Sequence, residues 1–172
     1  MATEVRDQLL RQFETASRLL HFHLDGLTLD EAMWRPSIRG LHVHRDEKDG
    51  WTADWPEHEG YDLGPPSAAW ISWHIVFWWS MVLDHSFGEG ALSRETIEWA
   101  GDDFASQIEE LERKWLAAIA ELDDDDLRSS EMSKWPMSGR PFADVVGWVN
   151  IELTKNASEL GLIRFFYAAR QD

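Results

Sequence analysis

The chain has 172 residues, of which 32 are acidic and 16 basic, so its formal net charge is -16, and it contains no cysteine. This charge argues against the basic face that a phosphate backbone requires, so we expect no nucleic-acid partner, and an anionic membrane surface would repel the protein. Without cysteine there are no disulfides, zinc-thiolate sites or cysteine nucleophiles, and any metal must be held by His, Asp, Glu or water.

The first predicted element is an amphipathic helix that begins at Thr3, a good N-cap, and ends near Asp25, just before Gly26. A short helical turn follows between Thr28 and Pro36. The apolar stripe of the first helix consists of Val5, Leu9, Phe13, Ala16, Leu20 and Leu24.

The chain shows neither an apolar signal region at its start nor the roughly 20 apolar residues of a membrane span, so we expect a cytoplasmic protein.

Residues 37–66 form a long excursion in which Gly, Pro and charged residues break the helical pattern. Polar and apolar residues alternate on both sides of a turn signal at 46–50, which predicts a small hairpin or an ordered loop. An unstructured loop of this length is unusual, so its aromatic residues Trp51, Trp55 and Tyr61 indicate that it packs over another part of the protein.

The second long helix, residues 68–84, is apolar on every side except at His74. It is therefore central, or covered on its second side by the excursion or by another subunit. The eleven Trp of the chain predict an aromatic core, a stacking pocket or a buried interface. An amphipathic third helix spans residues 101–122, and the acidic run 123–126 predicts a solvated turn, because it lacks the spaced ligands of a calcium-binding loop.

The last helix, from Pro141 to about Arg170, carries polar residues within an apolar seam. Residues three and four apart project from one face of a helix, and burying a carboxylate costs several kcal/mol unless a cation, a metal or hydrogen-bond donors compensate it. The row therefore needs partners, and Lys155 lies beside it. Its members are Val145, Val149, Glu152, Asn156, Glu159, Ile163 and Phe166.

His74 is the predicted partner of this polar row, because in a bundle it would face the last helix at mid-height. Its surroundings are then either a functional pocket or a structural network, in which Lys155 neutralises a glutamate and His74 is an ordinary hydrogen-bonded core histidine. His85, just beyond the second long helix, is expected at the same mouth. The excursion residues His42 and His44 are a weaker pair of candidate ligands.

Four long or medium helices with one large crossover predict an all-α fold, a four-helix bundle formed by residues 1–172 as one domain. The order of elements resembles the DinB/YfiT-like superfamily over nearly the whole chain, in the segments 27–36, 67–75 and 159–164. That resemblance implies a four-helix bundle with an unusual connection, often dimeric. It also implies a divalent metal held by three histidines, which several relatives use to activate a low-molecular-weight thiol in S-transferase or isomerase reactions.

By position, His74 matches the family's ligand on the second long helix, and residues 161–163 match its closing Gly-x-Ile motif. The two histidines expected on the last helix fall instead on Lys155 and Glu159. An ammonium group cannot ligate a metal, so the three-histidine site is absent.

Two interpretations of the altered site remain. In one, Glu159, with Glu152 or Asn156, joins His74 around zinc, nickel, manganese or magnesium. In the other, which we favour, the Lys155 ammonium replaces the charge of the metal.

Three functions follow from these interpretations. The favoured one is the binding of a small molecule in a polar pocket between the second and last long helices, with the family's metal site altered or lost. The alternatives are a divalent-metal-dependent hydrolase or thiol S-transferase that uses His74 and Glu159, and a non-catalytic homodimer whose interface is the Trp-rich surface of the second long helix. The predicted pocket consists of His74, Glu152, Lys155, Asn156, Glu159 and His85.

Overall fold

A computed structural model of the protein describes residues 2–48, 50–58 and 60–170. The predicted all-α bundle with a small hairpin in its excursion is confirmed, and in the described ranges no helix is both long and apolar enough to cross a bilayer. In chain order the elements are α1 (Glu4–Leu24), α2 (Leu29–Met33), β1 (Val43–Arg45), β2 (Trp51–Ala53), α3 (Ala68–Phe87), α4 (Phe104–Ala120), α5 (Asp124–Arg128) and α6 (Phe142–Ala169).

Helices α1 and α6 run parallel, as contacts at both of their ends show. The side-chain amide of Asn150 donates to the Leu9 carbonyl at 2.9 Å, and Arg164 donates to the His23 carbonyl at 2.8 Å. Helix α3 runs antiparallel to α6, because its C-terminal Phe87 packs on Phe142, at the start of α6. This arrangement brings the middle of α3 against the polar row of α6.

Helix α4 runs parallel to α3, so the segment that connects them must run back along the length of the bundle. Phe87, at the end of α3, packs on Trp115 of α4. At the opposite end, the Trp99 indole donates to Ser72 at 3.1 Å and stacks on Phe104, the first residue of α4. Residues 88–103 therefore form a second crossover in addition to the excursion.

The tryptophans of α3 are buried within the protomer rather than exposed on its surface. Trp78 and Trp79 are at most 1% exposed and pack on α6 and α1. The excursion covers the other side, where the Trp70 indole donates to the Asp54 carbonyl at 2.7 Å and Trp55 packs on Trp73. A dimer interface on the Trp-rich surface of α3 is therefore a wrong prediction, because the chain itself occupies that surface.

The excursion forms an antiparallel hairpin in which His44 of β1 lies opposite Thr52 of β2. Its packing over the bundle is confirmed for Trp51, which contacts Trp99, and for Trp55. Tyr61 differs, because its side chain is fully exposed in a single turn of 3-10 helix. The contacts of Trp51 and Trp55 hold the hairpin over one end of α3.

The acidic run contains a helix-capping residue as well as solvated positions, so its prediction as a solvated turn is wrong at Asp124. Asp124 is 3% exposed, and its carboxylate accepts hydrogen bonds from the backbone N–H groups of Val5 and Arg6, both at 3.2 Å. Thr3 occupies the N-cap of α1 as predicted, but its side chain makes no capping bond. Asp124 thus satisfies first-turn donors of α1 from a distant part of the chain.

We expect Asp124→Ala to lower the free energy of unfolding by about 2 kcal/mol, because it strips two N–H groups of α1 of their acceptor. Urea unfolding followed by circular dichroism measures this loss. Asp125→Ala is the matched control, because Asp125 is exposed and its side chain pairs with Arg128 on the surface. Equal losses in the two variants would show that Asp124 does not stabilise α1.

Candidate functional site

A cavity of about 320 Å³ lies between α3 and α6, beneath the excursion. It brings together four of the six predicted pocket residues, from two helices that are far apart in sequence. The excursion and the start of α3 supply the remaining walls, which are mostly apolar. The cavity is lined by Leu41, Trp55, Pro56, Pro66, Trp70, His74, Lys155, Asn156 and Glu159.

The His74 imidazole lies flat against Trp70, one helical turn earlier, with ring centroids 5.0 Å apart and planes 9° apart. Its Nδ1 atom is buried and has no hydrogen-bond partner among the described residues. Burial lowers the pKa of His74 to about 4, the Lys155 ammonium acts in the same direction, and a hydrogen bond with Asn156 opposes both. The ring is therefore neutral at neutral pH.

Asn156 connects the core of the bundle to the polar wall of the cavity. It is fully buried, and its Oδ1 accepts a hydrogen bond from the Trp78 indole at 2.9 Å. Its Nδ2 donates to Glu159 Oε2, also at 2.9 Å. Because both ends of the amide are bonded, Asn156 holds the Glu159 carboxylate in one orientation at the cavity wall.

Lys155 places a positive charge at the mouth of the cavity. Its Nζ lies 2.6 Å from Glu152 Oε2, and its side chain is 44% exposed. Glu152 does not line the cavity itself and acts on it through Lys155. An ammonium group carries three donors, so the pair with Glu152 leaves donors free for another acceptor.

His85 lies outside the cavity, and its predicted place at the same mouth is wrong. Helix α3 continues to Phe87 instead of ending at Asp84, so His85 lies eleven helical positions after His74, about 16 Å along the axis. The His85 ring contacts the Leu92 carbonyl at 3.1 Å. His42 and His44 belong to the hairpin region and do not line the cavity either.

The residues around His74 do not suit a divalent metal. Among the described residues, no three His, Asp or Glu side chains are grouped so that they could hold one. The cavity has one imidazole and one carboxylate, and the carboxylate is bonded to Asn156. The Lys155 ammonium lies near enough to lower the pKa of His74 and would also repel a cation.

Several walls of the cavity were not predicted as site residues. Trp70 lies one turn before His74, and that spacing alone could have identified it. Leu41, Trp55 and Pro56 belong to the excursion, where the sequence predicted packing for Trp55 but did not indicate that it would line this cavity.

Among models of protein families, that of the DinB superfamily matches residues 12–160 of the chain. Comparisons with curated proteins and with solved structures found no match. The matched segment includes all of α3, the hairpin and the polar residues of α6 that line the cavity.

Proposed function

The chain belongs to the DinB superfamily, and on that premise we propose that it binds a small organic molecule between α3 and α6 without a metal ion. The observation that carries the proposal is the cavity in which a neutral His74, an oriented Glu159 and the Lys155 ammonium meet. The ammonium group takes the place of the metal's positive charge. We expect the same site to be used whether the protein is a binding module or an enzyme.

The shape and walls of the cavity favour a small, flat ligand. Its volume of about 320 Å³ is at the lower end of the roughly 300–1,000 Å³ of ligand pockets, which leaves room for a single-ring molecule. Trp55 and Trp70 offer aromatic surfaces, and Pro56 and Pro66 add rigid apolar ones. An aromatic ring would stack on these side chains at little entropic cost.

The charges of the cavity favour a zwitterion. Lys155 can donate to a carboxylate, and the Glu159 oxygen that is not bonded to Asn156 can accept from an ammonium group. The two residues are four apart on α6 and therefore flank the same part of the cavity. The ligand class we propose is thus an aromatic ring with an amino and a carboxylate group.

Calorimetric titration with tyrosine, tyramine and 3-(4-hydroxyphenyl)propionate tests this ligand class, because the three probes share a ring and differ in charge. We expect tyrosine to bind best, and each probe that lacks one charge to bind at least about tenfold more weakly, since a charged hydrogen bond contributes about 1.5–3 kcal/mol. Lys155→Met should remove the preference for the carboxylate, and Glu159→Gln the preference for the ammonium group.

Lys134→Met is the control for this titration, because it removes an exposed lysine elsewhere and should leave all three affinities unchanged. Failure of all three probes to reach saturable binding would contradict the proposed ligand class. Equal affinities, or equal effects of Lys155→Met and Lys134→Met, would contradict the proposed roles of the charges.

The metal-dependent alternative, a hydrolase or a thiol S-transferase that uses His74 and Glu159, makes the opposite prediction about chelation. We expect the titration to be unchanged after dialysis against EDTA. Stoichiometric metal in elemental analysis, together with loss of binding after EDTA, would favour that alternative instead.

A cytoplasmic location and the lack of a nucleic-acid partner stay predictions of the sequence.

A further inference from the structure

A second cavity lies between the hairpin of the excursion and the crossover formed by residues 88–103. It has a volume of about 280 Å³, and its walls include three tryptophans, Trp51 and Trp55 from the excursion and Trp73 from α3. The crossover closes it with a single turn of 3-10 helix, Arg94–Thr96. We call this cavity the tryptophan cleft. Trp55 is a wall that it shares with the His74 cavity.

Two tryptophans of the cleft form adjacent walls at nearly a right angle. The planes of Trp55 and Trp73 are 79° apart, and their ring centroids lie 6.3 Å from each other. Trp73 is buried and stacks on Phe77, whereas Trp55 is 45% exposed, so the corner between the rings borders water. Aromatic rings that surround a space in this way form the cages that recognise methylated ammonium groups.

Cations of the protein itself already lie on the tryptophans of the cleft. The Arg94 guanidinium lies over the Trp55 ring, 4.8 Å from its centroid, and the Arg45 guanidinium lies 3.9 Å from the centroid of Trp51. Both distances are within the roughly 6 Å at which the negative face of an aromatic ring attracts a cation. The Arg94 guanidinium therefore marks a position where a cation is stabilised.

Arg94 holds this position weakly. Its side chain is 39% exposed, and it pairs at 2.6 Å with Glu95, whose side chain is 65% exposed. An exposed pair of this kind contributes little to stability, because both groups are well solvated when they separate. A ligand cation could therefore displace Arg94 into water at small cost and take Glu95 as its counter-charge.

The charge around the tryptophan cleft favours a cation over an anion. An adjoining cavity of about 370 Å³ shares Trp51, Glu95 and Ile97 with the cleft and adds the carboxylates of Asp46 and Glu98. The whole chain carries a net charge of -16. Because carboxylates that line a cavity raise the local concentration of counter-ions, the cleft attracts cations from solution.

We propose that the tryptophan cleft is a second ligand site, which binds a small organic cation with a methylated ammonium group. Such a group has no N–H and is weakly hydrated, so it loses less hydration on an aromatic wall than a primary ammonium group does. The volume of about 280 Å³ suits a compact head group. This ligand differs from the zwitterion proposed for the His74 cavity, so the two sites can be tested separately.

Calorimetric titration of the full chain with choline and 3,3-dimethyl-1-butanol tests the site, because the two molecules share a shape and differ in the positive charge. We expect saturable binding of choline and at least about tenfold weaker binding of the alcohol, since attraction to the ring face requires the charge. Ethanolamine, with a strongly hydrated ammonium group, should also bind more weakly than choline. Failure of choline to saturate, or equal affinities for choline and the alcohol, would overturn the proposal.

The role of Arg94 predicts a gain of affinity on its removal. Arg94→Ala should bind choline about three- to fivefold more tightly, because the competing guanidinium is absent. Arg113→Ala is the matched control, because Arg113 forms an exposed pair of the same 2.6 Å with Glu110 on α4. Equal choline affinities in the two arginine variants would show that Arg94 does not occupy the ligand's position.

Two further variants locate the bound choline. Trp55→Leu keeps an apolar side chain and should weaken choline binding at least about tenfold, because it removes one aromatic wall. Lys155→Met should leave choline binding unchanged, because Lys155 lines the His74 cavity and not the tryptophan cleft. Equal weakening by both variants would place choline in the His74 cavity and overturn the proposal. Binding of phosphatidylcholine vesicles without binding of free choline would assign the cleft to a lipid head group instead of a soluble cation.

Discussion

Asn156→Ala is expected to lower the free energy of unfolding by about 3 kcal/mol. The change removes two hydrogen bonds at once, one buried and one partly buried, and leaves the Trp78 indole N–H, which lies in the core, without an acceptor. A buried donor that loses its partner costs about 1–3 kcal/mol, and the lost side-chain volume adds to this. Urea unfolding measures the loss, and the indole resonance of Trp78 in a nitrogen-15 spectrum should shift with it.

Asn150→Ala is the matched control for Asn156→Ala. Asn150 is also a buried amide of α6, but in the described part of the chain it makes one hydrogen bond, to the Leu9 carbonyl, and its Oδ1 has no partner there. We therefore expect a loss of about 1 kcal/mol and no change in tyrosine binding. Asn156→Ala should also weaken tyrosine binding, because Glu159 loses its orienting donor. Equal stability losses, with equal binding, would contradict the role assigned to Asn156.

Acidification is expected to destabilise the protein through His74 by roughly 3 kcal/mol between pH 6.5 and pH 4. Burial and the Lys155 ammonium lower the pKa of His74 from 6.5 to about 4, and each tenfold change in proton affinity is worth about 1.4 kcal/mol. Above pH 6.5 the ring is neutral in both states. Between these pH values the unfolded chain binds a proton that the folded protein does not, so stability falls as pH falls.

The free energy of unfolding of the wild type, measured relative to His74→Gln, isolates this contribution from that of the carboxylates. We expect the difference to shift by about 3 kcal/mol against the wild type on going to pH 4. Nuclear magnetic resonance titration should also show that Lys155→Met raises the pKa of His74, whereas Lys134→Met leaves it unchanged. Titration of His74 at its ordinary pKa of 6.5 would contradict the burial and charge assigned to it.

The main helices could be predicted from the sequence because their signals are local. In α1 and α4 the apolar residues recur every three or four positions, and the structure buries Phe13, Leu20, Ile108 and Trp115 on those stripes. The end of α3 could not be predicted as well. Helical hydrogen bonds continue through His85 to Phe87 although the sequence there is polar. The Asp84 carboxylate accepts a hydrogen bond from the Leu92 backbone N–H at 2.8 Å, which fixes the turn that follows the helix.

The polar row of α6 was identifiable as a candidate site because carboxylates in an apolar seam need compensation. Four of the six predicted residues, including His74 and Lys155, line one cavity. Glu152 is adjacent through its pair with Lys155, whereas His85 is remote. Spacing along α6 thus identified the face that lines the cavity. His74 of α3 lies at that cavity, whereas His85 lies too far along α3 to share it.

By itself the sequence determined the helical bundle, the hairpin in the excursion and the place of the polar row, since periodicity and turn chemistry act over a few residues. Only the tertiary structure decided that Trp55 and Pro56 cover the His74 cavity and that Asp124 caps a helix more than a hundred residues away. It also decided that the Trp-rich side of α3 is covered while Phe165 is exposed. These outcomes depend on which distant segments meet, and a repeat of three or four residues does not encode that choice.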